Sequence, residues 1–151
     1  MEFDEFDHER HMDQAFELAE TAADRGDRPF GSVLVRDDEV TREASNRVVT
    51  ESDVRRHPEL HLAYLAQREL TPEERAETVI YTSTEPCPMC AGGLRYAGLG
   101  RIAYSVSSAV AAEFTGNDPG VRSASILEGV TEVVGPIAPE AGRAVHERFG
   151  W

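Results

Sequence analysis

The chain is 151 residues long and 40% hydrophobic, enough for one domain with a sizeable core, and its formal net charge is −13, from 28 acidic and 15 basic residues. No run approaches the ~20 apolar residues of a membrane span. Every basic residue is an arginine, and a surface this acidic repels phosphate backbones, which disfavours nucleic acid as a partner. Such acidity also suits high salt, where screening relieves self-repulsion and the charge maintains solubility, so a halophilic source is expected. The acidic start Met1 to Asp7 has neither the basic nor the apolar region of a signal peptide. With only two, closely spaced cysteines, the chain reads as cytoplasmic and thiol-reducing.

The first predicted element is a helix over 8–26. Met12, Ala15, Phe16, Ala19 and Ala22 recur at helical spacing, and Asp13, Glu17, Glu20 and Asp24 take the wet face. Gly26 stops it. Ser32 to Val35 is an apolar run suited to a buried strand, Asp37 to Glu39 a turn, and Val40 to Asn46 a returning strand. Together they predict an antiparallel hairpin at a sheet edge. Residues 47–56 are polar and without period, which predicts a loop. His57 to Leu70 is the second helix, and Thr71-Pro72 opens a short polar connection.

Thr78 to Thr82 is a strand, Pro88 to Ala97 a helix ended by Gly98 and Gly100, Arg101 to Val106 a strand, and Ser108 to Phe114 a short helix. Thr115 to Ser123 reads as a loop, Val130 to Val134 as a last strand, and Pro139 to Phe149 as a terminal helix. Strands alternating with helices after residue 57 imply right-handed crossovers and a partly parallel sheet covered on both faces. One α/β domain over 1–151 is the economical reading.

Both cysteines lie in Thr82-Ser-Thr-Glu-Pro-Cys-Pro-Met-Cys90. Thiolates spaced C-x-x-C can close on one small ion, and zinc is the usual occupant in a thiol-reducing setting. His57-Pro58 and Cys87-Pro88 share one grammar, a ligand-type residue, then proline, then a helical pattern. Proline is favoured at the first helical position because its missing N–H would be unpaired there. Each ligand is thereby placed at a helix N-terminus, where free N–H groups and the positive dipole end stabilise thiolate. His57, Cys87 and Cys90 make three ligands with a fourth position left for water, the mark of a catalytic zinc. Glu59, two residues beyond His57, can move that water's proton without displacing a ligand.

H-x-E followed by P-C-x-x-C resembles the signature of the zinc deaminases that act on nucleobases. The chain is similar to the cytidine deaminase-like superfamily over most of residues 10–115. The resemblance implies a three-layer α/β/α fold with a central mixed five-stranded sheet, and hydrolytic deamination in which water adds to the ring carbon bearing the amino group and ammonia leaves. It makes Glu59 the proton shuttle, with His57, Cys87 and Cys90 holding Zn2+. Asn46 matches an asparagine that hydrogen-bonds substrate, and Phe30, in Pro-Phe-Gly, matches a position lining the base pocket. Pro58, where many relatives carry a small residue such as alanine, and Glu85, just before Pro86-Cys87, are further expected substrate contacts.

Competing readings attach to several of these residues. The cysteines could be a dithiol redox pair, or His57 and His61 could close a Cys2His2 structural zinc with no catalysis. Asn46 could cap a turn, and Phe30 could be core. His8, His11 and His146 read as surface, Tyr64 and Tyr104 as core. Asp118 and Glu113 sit where relatives place substrate contacts. Trp151 either frays or, as the resemblance implies, belongs to a segment folded over a pocket. Pro-Phe-Gly and the lack of a basic C-terminal tail favour a small nucleobase or nucleoside, guanine first. A tRNA adenosine and cytosine or cytidine are the alternative substrates. A homodimer is expected by analogy.

Overall fold

The computed structural model describes residues 1–151. Helix α1 (His8–Arg25) begins at Asp7, whose carboxylate accepts from the Arg10 N–H, and ends at Gly26, which adopts φ 100°. Its periodic residues Met12, Ala15, Phe16, Ala19 and Ala22 are all buried. Strands β1 (Gly31–Arg36) and β2 (Glu39–Ser45) pair antiparallel. Asp37 and Asp38, both at positive φ, make the two-residue turn whose twist matches the strands.

Helix α2 (Val48–Glu51) is a single turn, α3 spans Pro58–Glu69 and α4 Pro72–Ala76. Then come β3 (Val79–Thr84), α5 (Pro88–Ala97), β4 (Arg101–Val106), α6 (Ser108–Thr115), α7 (Ser123–Leu127), β5 (Glu132–Val134) and α8 (Pro139–Phe149). The five strands form one mixed sheet in the order β2-β1-β3-β4-β5. β1 is antiparallel to both neighbours, and β3, β4 and β5 run parallel. This is the expected three-layer α/β/α arrangement.

Side chains alternate across the central strands, so each face has its own core. Leu34, Ile80 and Ile102 point to one face and pack with Leu62 of α3, Leu94 of α5 and Leu127 of α7. Val33, Val35, Tyr81 and Ala103 point to the other and pack with Met12 and Phe16 of α1 and Val145 of α8. Each fully buried Leu or Ile contributes about 1.5–3 kcal/mol by area removed from water. Truncating Leu34, at 0% exposure in the middle of the sheet, costs more, about 2–5 kcal/mol, because a cavity remains. At Gly31 α1 lies directly against the strand backbone, and a Cβ there would lie 2.3 Å from the Ala15 carbonyl oxygen.

Several details differ from the sequence reading. Residues 47–56 are not an open loop: α2 and a 3-10 turn at Val54–Arg56 fill them. Buried Asp27 holds them down, accepting from Val49 N, Thr50 N and the Thr50 hydroxyl. The connection at Thr71 contains α4, nucleated by a capping box between Thr71 and Glu74. Tyr64 is exposed rather than core, whereas Tyr104 is buried. His11 and His146 are each 1% exposed, because partners distant in sequence cover them. His11 Nε2 meets Asp38 Oδ1 at 2.6 Å, and His8 Nδ1 lies 2.7 Å from the Tyr81 hydroxyl.

Burial pushes His146 from its ordinary 6.5 down to about 4. The folded value lies below the unfolded one, so the unfolded chain takes up the proton first. The stability tied to this group is complete above pH 6.5 and is lost as pH falls toward 4. Over that window denaturant titration of the native chain should lose roughly 3 kcal/mol more than a His146→Gln variant. Parallel curves for the two proteins would remove His146 as the cause.

Candidate active site

The sheet topology brings the candidate residues to one edge. β3 and β4 are parallel, so Thr84 and Val106 end side by side. β1 is antiparallel to β3, so Gly31 begins there, with its N–H bonded to Ser83 Oγ at 3.1 Å. β2 closes at Ser45 opposite Gly31. Phe30, Asn46, Thr84 and the start of α5 therefore converge at the carboxyl ends of the parallel strands, where open α/β sheets form crevices.

Two X-Pro junctions face each other at this edge. A residue before proline is driven out of the helical region. His57 (φ −63°, ψ 134°) and Cys87 (φ −66°, ψ 166°) are accordingly extended, and each is the N-cap of the helix that Pro58 or Pro88 begins. Neither caps its own helix with its side chain, so imidazole and thiol are free to turn to the crevice. Cys90 follows in the first turn of α5 and is buried.

His57 Nδ1 lies 3.7 Å from Cys87 Sγ, and the donor atoms of His57, Cys87 and Cys90 all lie within 4.8 Å of one another. A tetrahedral zinc with ordinary Zn–N and Zn–S bonds separates neighbouring N and S donors by about 3.6 Å. The trio fits such an ion. The thiols lean the same way. A hydrogen bond from Cys90, together with His57, outweighs burial and brings Cys87 down to about 4, while Cys90, as the donor and deeply buried, is pushed up. The pair thus shares one proton, the one a dication would expel. Cys87 raises His57 in return, with Glu59 adding to the effect.

Glu59 is 6% exposed, and burial, followed by the negative charge of Cys87, lifts its carboxyl to about 7. It lines, with His57 and Cys87, a cleft of about 220 Å³, below the roughly 300–1,000 Å³ of sites for drug-sized ligands. Phe30, Pro58, Thr84 and Asp118 contribute to the walls. Asn46 is buried next to the strand end and does not line the cleft; its N–H bonds to the Phe30 carbonyl and its Oδ1 accepts from Val48 N. The turn-capping role is therefore real, and Nδ2 is left without a partner in the chain.

Glu85 reaches the wall, but its carboxylate is already engaged. It accepts from Ser108 N, from Ser123 N and Oγ, and from Arg122. Burial opposes its charge, yet these donors win and hold it at about 2. Glu85 therefore fastens α6 and α7 to the segment before Cys87 and offers no free oxygen to a substrate. Glu113 pairs with Arg143 on the surface instead of lining the cleft. His61 is outside the ligand trio, with its ring stacked on Tyr64 at 6.1 Å. Sequence reasoning missed the Ser108–Arg122–Ser123 clamp and Thr84; only the unusual burial of the polar run Thr82 to Glu85 marks them.

The chain is 31% identical over 148 residues to a protein named probable cytosine deaminase from Schizosaccharomyces pombe, covering 92% of this chain and 90% of that one. It is 34% identical over 107 residues to the guanine deaminase of Bacillus subtilis, covering 70% and 69%. Among solved structures, a guanine deaminase from Nitrosomonas europaea superposes with a TM-score of 0.78 over 93% of this chain and 82% of that one; at 21% identity it speaks for the fold alone. A family model described as MafB19-like deaminase matches residues 6–131. With that match over most of the domain, and with the H-x-E and P-C-x-x-C residues gathered in one cleft, the chain belongs to the MafB19-like deaminases and is a hydrolytic deaminase of the cytidine deaminase-like fold.

Proposed function

We propose that the chain deaminates a small nucleobase with the help of zinc, and that guanine is its leading substrate. The observation that carries this is the meeting of His57, Cys87 and Cys90 in a cleft that also holds Glu59. The three would hold the ion, and zinc, when bound, lowers the pKa of water toward neutrality. Glu59 accepts a proton as the water oxygen bonds to the ring carbon that carries the amino group, and passes it to the adjacent ring nitrogen. The carbon–nitrogen bond then breaks, the amine leaves as ammonia with a second proton, and the ring keeps a carbonyl.

The substrate reading has separate supports. The cleft is of single-base size, Phe30 gives it an aromatic wall, and Asn46, bonded to the Phe30 carbonyl, has an unspent amide donor. The net charge of −13 disfavours a polynucleotide. The named activity of the Bacillus subtilis relative supports guanine, and that of the Schizosaccharomyces pombe relative keeps cytosine as the second reading. A cytoplasmic, high-salt setting accords with the free cysteines and the acidity. A homodimer is part of the same reading, supported by Tyr64 and Tyr96, 54% and 90% exposed, on the neighbouring helices α3 and α5.

Glu59→Gln should keep its zinc, measured by metal analysis, while turnover falls by about 10²–10⁴-fold; full activity in this variant would sink the proposed mechanism. His61→Ala should leave the zinc content unchanged, and loss of metal would instead support a closed structural site. Ammonia release in high salt, compared across guanine, adenine, cytosine, cytidine and a tRNA anticodon stem-loop, should be fastest with guanine. A stem-loop preferred over every free base would reverse the choice of substrate class.

A further inference from the structure

Thr84, His146 and Trp151 form a chain of hydrogen bonds whose direction is dictated by chemistry. The indole N–H of Trp151 can only donate, and it lies 2.9 Å from His146 Nδ1. Nδ1 is therefore the acceptor and carries no proton. A neutral imidazole then carries its proton on Nε2, which lies 3.0 Å from Thr84 Oγ1. The ring is 1% exposed, and burial keeps it neutral at pH 7. It stacks between Phe114 (5.2 Å, 20°) and Trp151 (5.8 Å, 23°), with Phe30 at 6.0 Å, which fixes its plane.

Thr84 Oγ1 must accept from His146, so its own hydrogen has to go elsewhere. Thr84 Oγ1 has no other hydrogen-bond partner in the chain, and Thr84 lines the cleft that holds Glu59 and His57. A buried hydroxyl proton without a partner loses the water it would have bonded to, and a substrate atom that accepts it restores the bond.

We infer that Thr84 is a specificity residue of this cleft: its hydroxyl hydrogen, kept off the imidazole by His146 and Trp151, is the donor to a base atom that only accepts, a ring carbonyl oxygen or an unprotonated ring nitrogen. The inference rests on the nucleobase reading above. Thr84 touches the substrate, whereas His146 and Trp151 are positioning residues. A base that offers an amino group or a ring N–H at this point leaves the hydroxyl hydrogen without an acceptor and is bound less tightly. The role of the C-terminal tryptophan is to set the polarity of a hydroxyl on the opposite side of an imidazole.

The test uses the full zinc-loaded chain. Thr84→Val keeps the β-branched shape and removes the donor, and it should lower kcat/KM for the preferred base roughly tenfold, mainly through KM, with zinc content intact. Thr84→Ser should restore turnover, which a packing role would not. Trp151→Phe keeps an aromatic ring but frees the tautomer, so its loss should fall between those of the native chain and Thr84→Val. Nitrogen-15 NMR of His146 in the ligand-free native chain should show a neutral ring protonated on Nε2, and a mixture in Trp151→Phe. An active native chain whose Thr84→Val variant is equally active, or a His146 protonated on Nδ1, overturns the Thr84 role alone. A native chain inactive on every base overturns the nucleobase reading and the Thr84 role with it.

Discussion

The cleft depends on how closely α3 and α5 lie against each other. The ligand trio is split between the two helix starts, so its spacing is set by helix packing and not by any one loop. Gly93 lies where α5 faces α3: a Cβ there would meet Leu60 Cδ1, the end of a half-buried side chain, at 2.5 Å. Glycine inside a helix costs about 1 kcal/mol relative to alanine, and α5 bears that cost twice in succession, at Gly92 and Gly93. The return is contact between the backbone of α5 and the side chains of α3, with Ala63 and Ala91 buried in the same core. A larger residue at position 93 would require Leu60 to turn aside.

The electrostatics follow from the same convergence. The protein is strongly acidic overall, yet two positive helix ends are directed at this one spot. Cys87 is held as a thiolate at a helix start, in line with the behaviour of cysteines in such places. Glu59, one residue further into α3 than Pro58, is buried against that thiolate, and its proton becomes hard to remove. A thiolate beside a buried carboxyl favours the arrival of a cation, which would stabilise both as anions. The tolerance for Pro58 has the same origin, since the first helical position has no carbonyl to bond back to.

The sequence was most informative where local chemistry decides structure. The helical spacing of Met12 to Ala22, the X-Pro junctions, the Asp37-Asp38 turn and the apolar run Ser32 to Val35 are each local signals, and α1, the hairpin and α5 are readable from them. The Thr71-x-x-Glu74 capping box was equally local and was passed over because the segment after it is polar and short. What the sequence hid were contacts closed over long separations. His146 reads as a surface residue on an amphipathic helix until Thr84, 62 positions away, is placed against it. Glu85 reads as a free acid until Arg122 and Ser123 arrive from α7. Asp27 likewise becomes the anchor of residues 48–50 only once Gly26 has turned the chain.

These hidden contacts share a location. The metal-facing side of the cleft comes from α3 and α5 and is written in two short motifs. The opposite side is assembled from the end of β3 and three later pieces: α6, fastened through Ser108 N to Glu85; α7, through Ser123; and α8, through His146 to Thr84. All three attach to adjacent residues, Thr84 and Glu85, immediately before the first cysteine. The two sides of the cleft are therefore joined by one short strand end, on which α6, α7 and α8 all converge. That division explains how a fold with one ligand trio can serve different amines.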